Sequence, residues 1–327
     1  MRRILCLGGT GNLSAECARR LLERGDEVTL LTRGRTPVPA GFIHLAADRH
    51  DPAAVEKALE GLSPFDAVCD FTTYNETDAL QMIRHFRGRC RQYLFVSTVC
   101  VYARPPKRLP VTEEEPQGNV YSPYGQDKQR AEACFMEAFR REGFPVTIVR
   151  PSHTYSERWL PNPVTSAGYT LAWRLENHLP VFLHDDGQNL WTLTDVHDFA
   201  VGLCGLVGLQ KSIGEAYQIM SDMVLTWNQI MAEICLALGV TDPVIRHIPT
   251  ARICAVEPMM TAKLLGDKAT DGVFDCAKIK RAVPEFQCRI LFRDGVRNAV
   301  RWFRERPERQ VPDLKVNAIF ENILANA

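Results

Sequence analysis

A chain of 327 residues, 46% of them hydrophobic, can bury a substantial core, and its length allows two domains. Its 39 basic and 39 acidic residues cancel, so no global field steers it to nucleic acid or to an anionic membrane surface. The eleven cysteines are scattered, with no Cys-x-x-Cys and several (Cys6, Cys69, Cys204) in apolar runs. This predicts reduced, buried thiols in a cytoplasmic protein and excludes a disulfide framework. No apolar run is long enough to span a bilayer, and a first strand beginning at Arg3 leaves no room for a signal peptide.

The first predicted element is the apolar run Arg3-Ile4-Leu5-Cys6-Leu7, read as a buried parallel strand. Gly8-Gly9-Thr10-Gly11 follows, then a helix over Leu13–Leu22 with Ala15, Ala18, Leu21 and Leu22 at helical spacing. A glycine turn between strand and helix lets backbone N–H groups approach a pyrophosphate, and the helix dipole favours the charge. Glycine can also serve such a turn for steric reasons alone. The context favours a dinucleotide: first strand, first helix, and a second strand Val28–Leu31 about twenty residues on. At the end of that strand an Asp or Glu would hold the ribose hydroxyl of NAD. Thr32 stands there instead, followed by Arg33 and Arg35. Two guanidinium groups suit a 2′-phosphate, which favours NADP over NAD. The plain alternative is two solvated loop arginines.

Helices are predicted over Pro52–Leu59, Asp78–Phe86 and Tyr124–Arg141, and strands over Asp66–Asp70, Tyr93–Val96 and Phe144–Val149. This alternation predicts a parallel doubly wound sheet. The strand Tyr93–Val96 runs into Ser97-Thr98, and open α/β sheets bind ligands at such strand ends. Tyr124 and Lys128, four apart, share a helix face. An ammonium near a phenol lowers the phenol pKa and readies it for proton exchange with a substrate hydroxyl. The same spacing occurs in surface pairs, and Thr98 on the preceding strand is what favours chemistry. Between these segments, Arg84, Arg87, Arg89 and Arg91 read as a solvated helix end, with nucleic-acid binding as the alternative. A proline-rich loop from Pro105 to Pro116 carries Glu113-Glu114-Glu115, read as a solvated face.

Pro161, Pro163 and Pro180 mark a change of organisation. The chain then returns to the core through Thr192–Leu206 and a strand Ala216–Met220, and a late helix is predicted over Asp294–Arg304. His153 reads equally as a site residue or as a loop histidine. Trp191 reads as core. Asp185-Asp186 reads as a turn and Asp195/His197/Asp198 as a helix start, with no metal site expected.

Taken in order, these residues resemble the short-chain dehydrogenase/reductase superfamily, in its extended, NAD-dependent epimerase/dehydratase-like branch. Gly8, Thr10, Gly11, Asn12 and Leu13 resemble its glycine motif, with Ser14 replacing the third glycine. Asp48-Arg49 resembles the segment that contacts the adenine, and Phe71-Thr72-Thr73 the strand end beneath the cofactor. Phe95–Tyr102 is similar to the active-site strand, and Tyr124 with Lys128 to the catalytic pair. Val149–His153, with Pro151 and His153, resembles the segment near the nicotinamide, and Trp191–Ala200 a strand-to-helix segment of the branch. The short stretch from Phe71 to Phe95 is closer to atypical members, including the chloroplast stem-loop-binding group.

The resemblance implies a Rossmann-type doubly wound core over 1–155 and 190–222, with a smaller interleaved substrate-binding lobe over 156–189 and 223–327. It implies Tyr124 as general acid/base, Lys128 on the nicotinamide ribose and Thr98 on the reacting oxygen. It further implies a nucleotide-sugar or related polyhydroxylated substrate, NAD(P), epimerase-like chemistry, and a homodimer through the Tyr124 helix. Nucleotide-sugar 4,6-dehydratases carry Thr-Asp-Glu where this chain has Thr98-Val99-Cys100. Valine and cysteine lack the carboxyl groups that eliminate water, so 4,6-dehydration is not expected. Two readings stay open beside the epimerase: an NADPH-dependent ketone reductase, and a non-catalytic dinucleotide-binding regulator or RNA-binding protein.

Overall fold

Four consecutive apolar residues build the centre of the molecule. Ile4 and Cys6 of β1 (Arg3–Leu7) point into one buried cluster, and Leu5 and Leu7 into another on the opposite face. A strand covered on both faces reads as an unbroken apolar run, which is what the sequence carries. The computed structural model describes residues 1–165 and 168–327. Positions 166 and 167 of the predicted 156–189 segment lie outside the described residues.

The strands and helices alternate: α1 (Asn12–Glu23), β2 (Glu27–Thr32), β3 (Ile43–Ala46), α2 (Pro52–Leu59), β4 (Ala67–Asp70), α3 (Glu76–Phe86), β5 (Tyr93–Val96), α4 (Pro123–Glu142) and β6 (Val146–Pro151). There follow β7 (His153–Tyr155), α5 (Thr170–Glu176), β8 (Val181–His184), β9 (Leu190–Asp195), α6 (Val196–Leu206) and β10 (Ala216–Ile219). Seven strands form one parallel sheet in the order β10-β6-β5-β4-β1-β2-β3. The order reverses between β1 and β4, which opens a crevice at the C-terminal strand ends. Residues of α1 and α6 fill one face, and residues of α2, α3 and α4 the other. This is the predicted Rossmann-like doubly wound sheet. All eleven cysteines are free thiols, with Cys6, Cys69 and Cys204 buried.

Helix α4, which carries Tyr124 and Lys128, has strong local signals. The Ser122 hydroxyl accepts from Gly125 N–H at 3.0 Å, Pro123 occupies the first turn, and Gly143 ends the helix at φ +69°. Beyond the sheet, β9 pairs with β7 on one side and β11 (Val224–Thr226) on the other in a small sheet, and β8 pairs with β12 (Ile245–Ile248). These strands share an apolar cluster with α5, α7 (Trp227–Leu238), α11 (Phe292–Arg304) and α12 (Leu314–Asn326), numbered past three short helices at Thr250–Val256, Met260–Lys263 and Ala277–Ala282.

Two expectations need correction. Thr192–Leu206 does not return whole to the core: α6 does, but β9 belongs to the small sheet. The acidic run is no solvated face, because Glu115 is 8% exposed and accepts from Lys107 N–H at 2.7 Å, while Glu113 accepts from Gln218 N–H at 2.9 Å. Backbone donors of the folded loop draw these carboxylates inward, and desolvation raises the Glu113 pKa. The basic cluster is the solvated helix end expected of it, its exposed arginines forming surface pairs, Arg87 with Glu142, Arg89 with Glu56 and Arg91 with Asp66.

Candidate active site

The glycine loop is shaped by contacts a side chain would prevent. Gly8 (φ +101°) donates its N–H to Leu31 at 3.0 Å. Gly9 has φ +108°, and a Cβ there would fall 2.6 Å from Leu30 Cδ2. Ser14, the departure from the glycine pattern, accepts from Gly11 N–H at 3.0 Å and so stitches the loop to the first turn of α1. Asn12 donates to the Thr154 carbonyl at 3.3 Å and accepts from the Ser156 hydroxyl, which ties the loop to the segment after β7.

Two cavities open along the strand ends. The first, about 340 Å³, is lined by Gly8, Thr10, Arg33, Asp48, Arg49 and Thr72, with Arg35 beside Arg33. The N–H of His50 and the charges of Arg33 and Arg35 hold the Asp48 carboxyl below its usual range. Arg49 is paired with Asp78 at 2.9 Å. The glycine cradle, the helix N-terminus and this basic cleft fit a dinucleotide.

The second cavity, about 430 Å³, brings together Thr98, Tyr124 and Lys128 with Phe71, Pro151 and His153, and reaches Gly11, Asn12 and Leu13. Lys128 is 2% exposed and donates to the carbonyls of Thr73 at 2.6 Å and Val96 at 2.8 Å. Desolvation pulls its pKa down to about 8, against Asp70, Glu132 and Asp78, which favour the ammonium. Thr98 caps the turn after β5, accepting from Cys100 N–H at 3.2 Å. Burial pulls His153 down to about 4, so its imidazole is neutral at working pH.

Tyr124 departs from expectation. Its residue is 43% exposed to the open cleft, yet the walls around the phenol raise its pKa. Desolvation is the main cause, with Cys100, Tyr74 and Asp267 adding to it and Thr98 opposing it. Lys128 is not among the main influences on it: the ammonium donates to two carbonyls and lies 5.9 Å from the Tyr124 ring centroid. Thr73 lines neither cavity: it is fully buried and faces Lys128 through its carbonyl.

Sequence reasoning missed several supporting residues. Asp70, fully buried, accepts from the N–H groups of Thr72 and Thr73 at 2.8 and 3.0 Å and from the Tyr93 hydroxyl at 2.7 Å. A carboxylate closing a buried strand was a visible signal. Asn119 donates to the carbonyls of Cys100 at 3.0 Å and Gly266 at 2.7 Å, joining the active-site turn to the π-helical turn Leu264–Lys268. Nothing in the sequence marks that contact. Asp267 of the same turn lines the second cavity. Arg150 forms a buried bidentate pair with Glu132 at 2.9 and 2.6 Å, which pins α4 to β6.

Residues 4–219 match the NAD dependent epimerase/dehydratase family. The chain belongs to that family. Among its relatives, 2'-dehydrokanamycin reductase from Streptomyces kanamyceticus is 28% identical over 290 residues, covering 87% of this chain and 80% of the relative. Chloroplast stem-loop binding protein of 41 kDa b from Arabidopsis thaliana is 25% identical over 261 residues, covering 75% of this chain and 66% of the relative. The solved UDP-glucose 4-epimerase of Thermus thermophilus, a complex with NAD, shares the fold at TM-score 0.73 and 21% identity, over 92% of this chain and 99% of that one. Family membership makes this an NAD-dependent type of enzyme fold, with epimerases and a reductase among its relatives. Among the described residues no helix is long and apolar enough to cross a membrane.

Proposed function

We propose that this family member is an NADP-dependent oxidoreductase that reduces a ketone of a polyhydroxylated substrate. The observation that carries the reading is the junction of two cavities, one holding Arg33 and Arg35, the other Thr98, Tyr124 and Lys128. The broad match to a reductase supports it.

Gly8, Thr10 and Gly11 would cradle the pyrophosphate, Arg33 and Arg35 the 2′-phosphate, and Lys128 the nicotinamide ribose. The nicotinamide, when bound, supplies the hydride donor. Thr98 holds the carbonyl oxygen by a hydrogen bond. Tyr124 Oη releases its proton to that oxygen as the carbonyl carbon is reduced, and the product is an alcohol. A phenol is protonated at neutral pH, as a general acid must be, while the raised pKa makes Tyr124 a weaker proton donor than a free phenol. Neutral His153 and the walls of Phe71 and Pro151 keep the reacting carbon out of bulk water. Asp267, from the later part of the chain that we assign to the substrate lobe, lines the same cavity as Tyr124.

Epimerisation of a nucleotide-sugar is the second reading, favoured by the family match and the UDP-glucose 4-epimerase fold. It needs a cofactor that stays bound. The nucleotide released on denaturing the purified protein separates the two. Stoichiometric NAD supports the epimerase; an empty protein that binds NADPH more tightly than NADH supports the reductase. Tyr124→Phe should lower turnover by roughly 10²- to 10⁴-fold and spare NADPH binding. Turnover retained in that variant removes the assigned mechanism.

A further inference from the structure

Tyr74 lines both cavities and is 49% exposed between them. A single exposed aromatic is ordinary. This one has two cations over its ring. Arg49 lies 5.7 Å from its ring centroid, and Lys128 Nζ 4.9 Å from the same centroid. Its N–H donates to Asp78 at 3.0 Å, the carboxylate that also holds Arg49. The Tyr74 backbone and Arg49 are therefore fixed by one carboxylate. The Tyr124 ring is 6.3 Å away, tilted by 53°.

A dinucleotide reaching from Arg33 to Tyr124 must pass this ring. We propose that Tyr74 is a positioning residue for the dinucleotide, packing over the stretch that joins its two halves and shielding the Lys128 ammonium from water. This rests on the dinucleotide reading above. An ammonium has three N–H donors, and Lys128 places two on the Thr73 and Val96 carbonyls, leaving one for a ligand. The Phe95 ring, also 4.9 Å from Nζ, closes another side.

The charged groups that face Lys128 come from every neighbouring element: Asp70 from the end of β4, Asp78 from α3, Glu132 from α4 itself and Arg49 from the loop after β3. The three carboxylates favour the ammonium and Arg49 opposes it, but desolvation outweighs them all. The aromatic face favours the ammonium weakly. Removing the ring admits water, and the relief of desolvation exceeds the lost ring contact, so Lys128 keeps its proton to higher pH.

The test is fluorescence titration of the whole protein with NADPH and NADH between about pH 6 and 10. Wild-type affinity should fall as pH passes about 8, and Lys128→Met should lose that midpoint. Tyr74→Ala should bind roughly tenfold more weakly at neutral pH and show a midpoint about one unit higher. Tyr74→Phe should match wild type within about twofold. Tyr74→Leu gives the same information as the alanine variant if that one does not fold. Unchanged affinity without the ring, or weakened affinity with the wild-type midpoint, overturns the proposal. A wild-type midpoint far from about 8, or one that survives in Lys128→Met, overturns its shielding half. A wild-type protein that binds neither nucleotide overturns the dinucleotide reading itself.

Discussion

Lys128 shows how one residue can pull stability and activity in opposite directions. Its pKa is lowered from 10.5 to about 8 because its ammonium is buried beneath the strand ends. Below about 8 the lysine is charged in folded and unfolded chains alike, and the folded state carries the full desolvation penalty. Between about 8 and 10.5 the unfolded chain holds a proton that the folded chain lacks. Folding stability from this group therefore rises with pH across that window, by up to about 3 kcal/mol in total. If the charged form holds the nicotinamide ribose, kcat/KM falls over the same range. Urea unfolding and initial rates, measured at matched pH values, should show opposite slopes. Parallel slopes would mean that Lys128 is not the titrating group. Tyr124 teaches a related lesson: a Tyr/Lys spacing places two side chains on one helix face, but it does not say where the ammonium points. Here two carbonyls claim it.

At the scale of elements, α4 is the lever that sets the site. Its N-terminal turn carries Tyr124, its second turn Lys128, and its third turn Glu132, which reaches Arg150 on β6. Both members of that pair are buried, at 3% and 5% exposure, and Arg150 also donates to the Tyr102 hydroxyl at 3.1 Å. Truncating one partner leaves a buried charge without compensation. Glu132→Gln or Arg150→Met should each destabilise the fold by about 3–5 kcal/mol, read from urea midpoints at constant slope. Replacing both with apolar residues of similar volume should recover much of the loss. A single variant that unfolds like wild type would show that α4 is held by its apolar face alone.

Over the whole molecule, the outer faces of α3 and α4 present a groove that the sheet does not cover. Leu80 is 53% exposed there, beside Ile83 and Cys134 and flanked by Arg87 and Arg130. The apolar floor and mixed charged rim fit the homodimer we propose through the helix that carries Tyr124. Sedimentation should report a dimer at micromolar protein, and Leu80→Arg should shift it to monomer while leaving the thermal transition of dilute protein in place. A wild-type monomer at that concentration would remove the dimer.

The sequence by itself determined the sheet and its ligand edge. Ile4–Leu7, Val28–Leu31 and Tyr93–Val96 are apolar runs flanked by glycine turns and caps, and those local signals survive in any context. The same holds for α4, whose Ser122, Pro123 and Gly143 mark both ends. Edge strand β3 escaped because Ile43–Ala46 is only four residues long and largely exposed. The small sheet escaped because its strands are three to six residues long and pair across β7, β9 and β11. Only the tertiary structure decided how the site is wired. Asn119 meets Gly266 across 147 residues, and Asp267 arrives at the cleft on a turn that no local pattern announces. The pKa values of Tyr124 and Lys128 were equally out of reach. A spacing of four fixes which side chains are neighbours, but desolvation depends on every wall that closes around them, and those walls come from segments far apart in the chain.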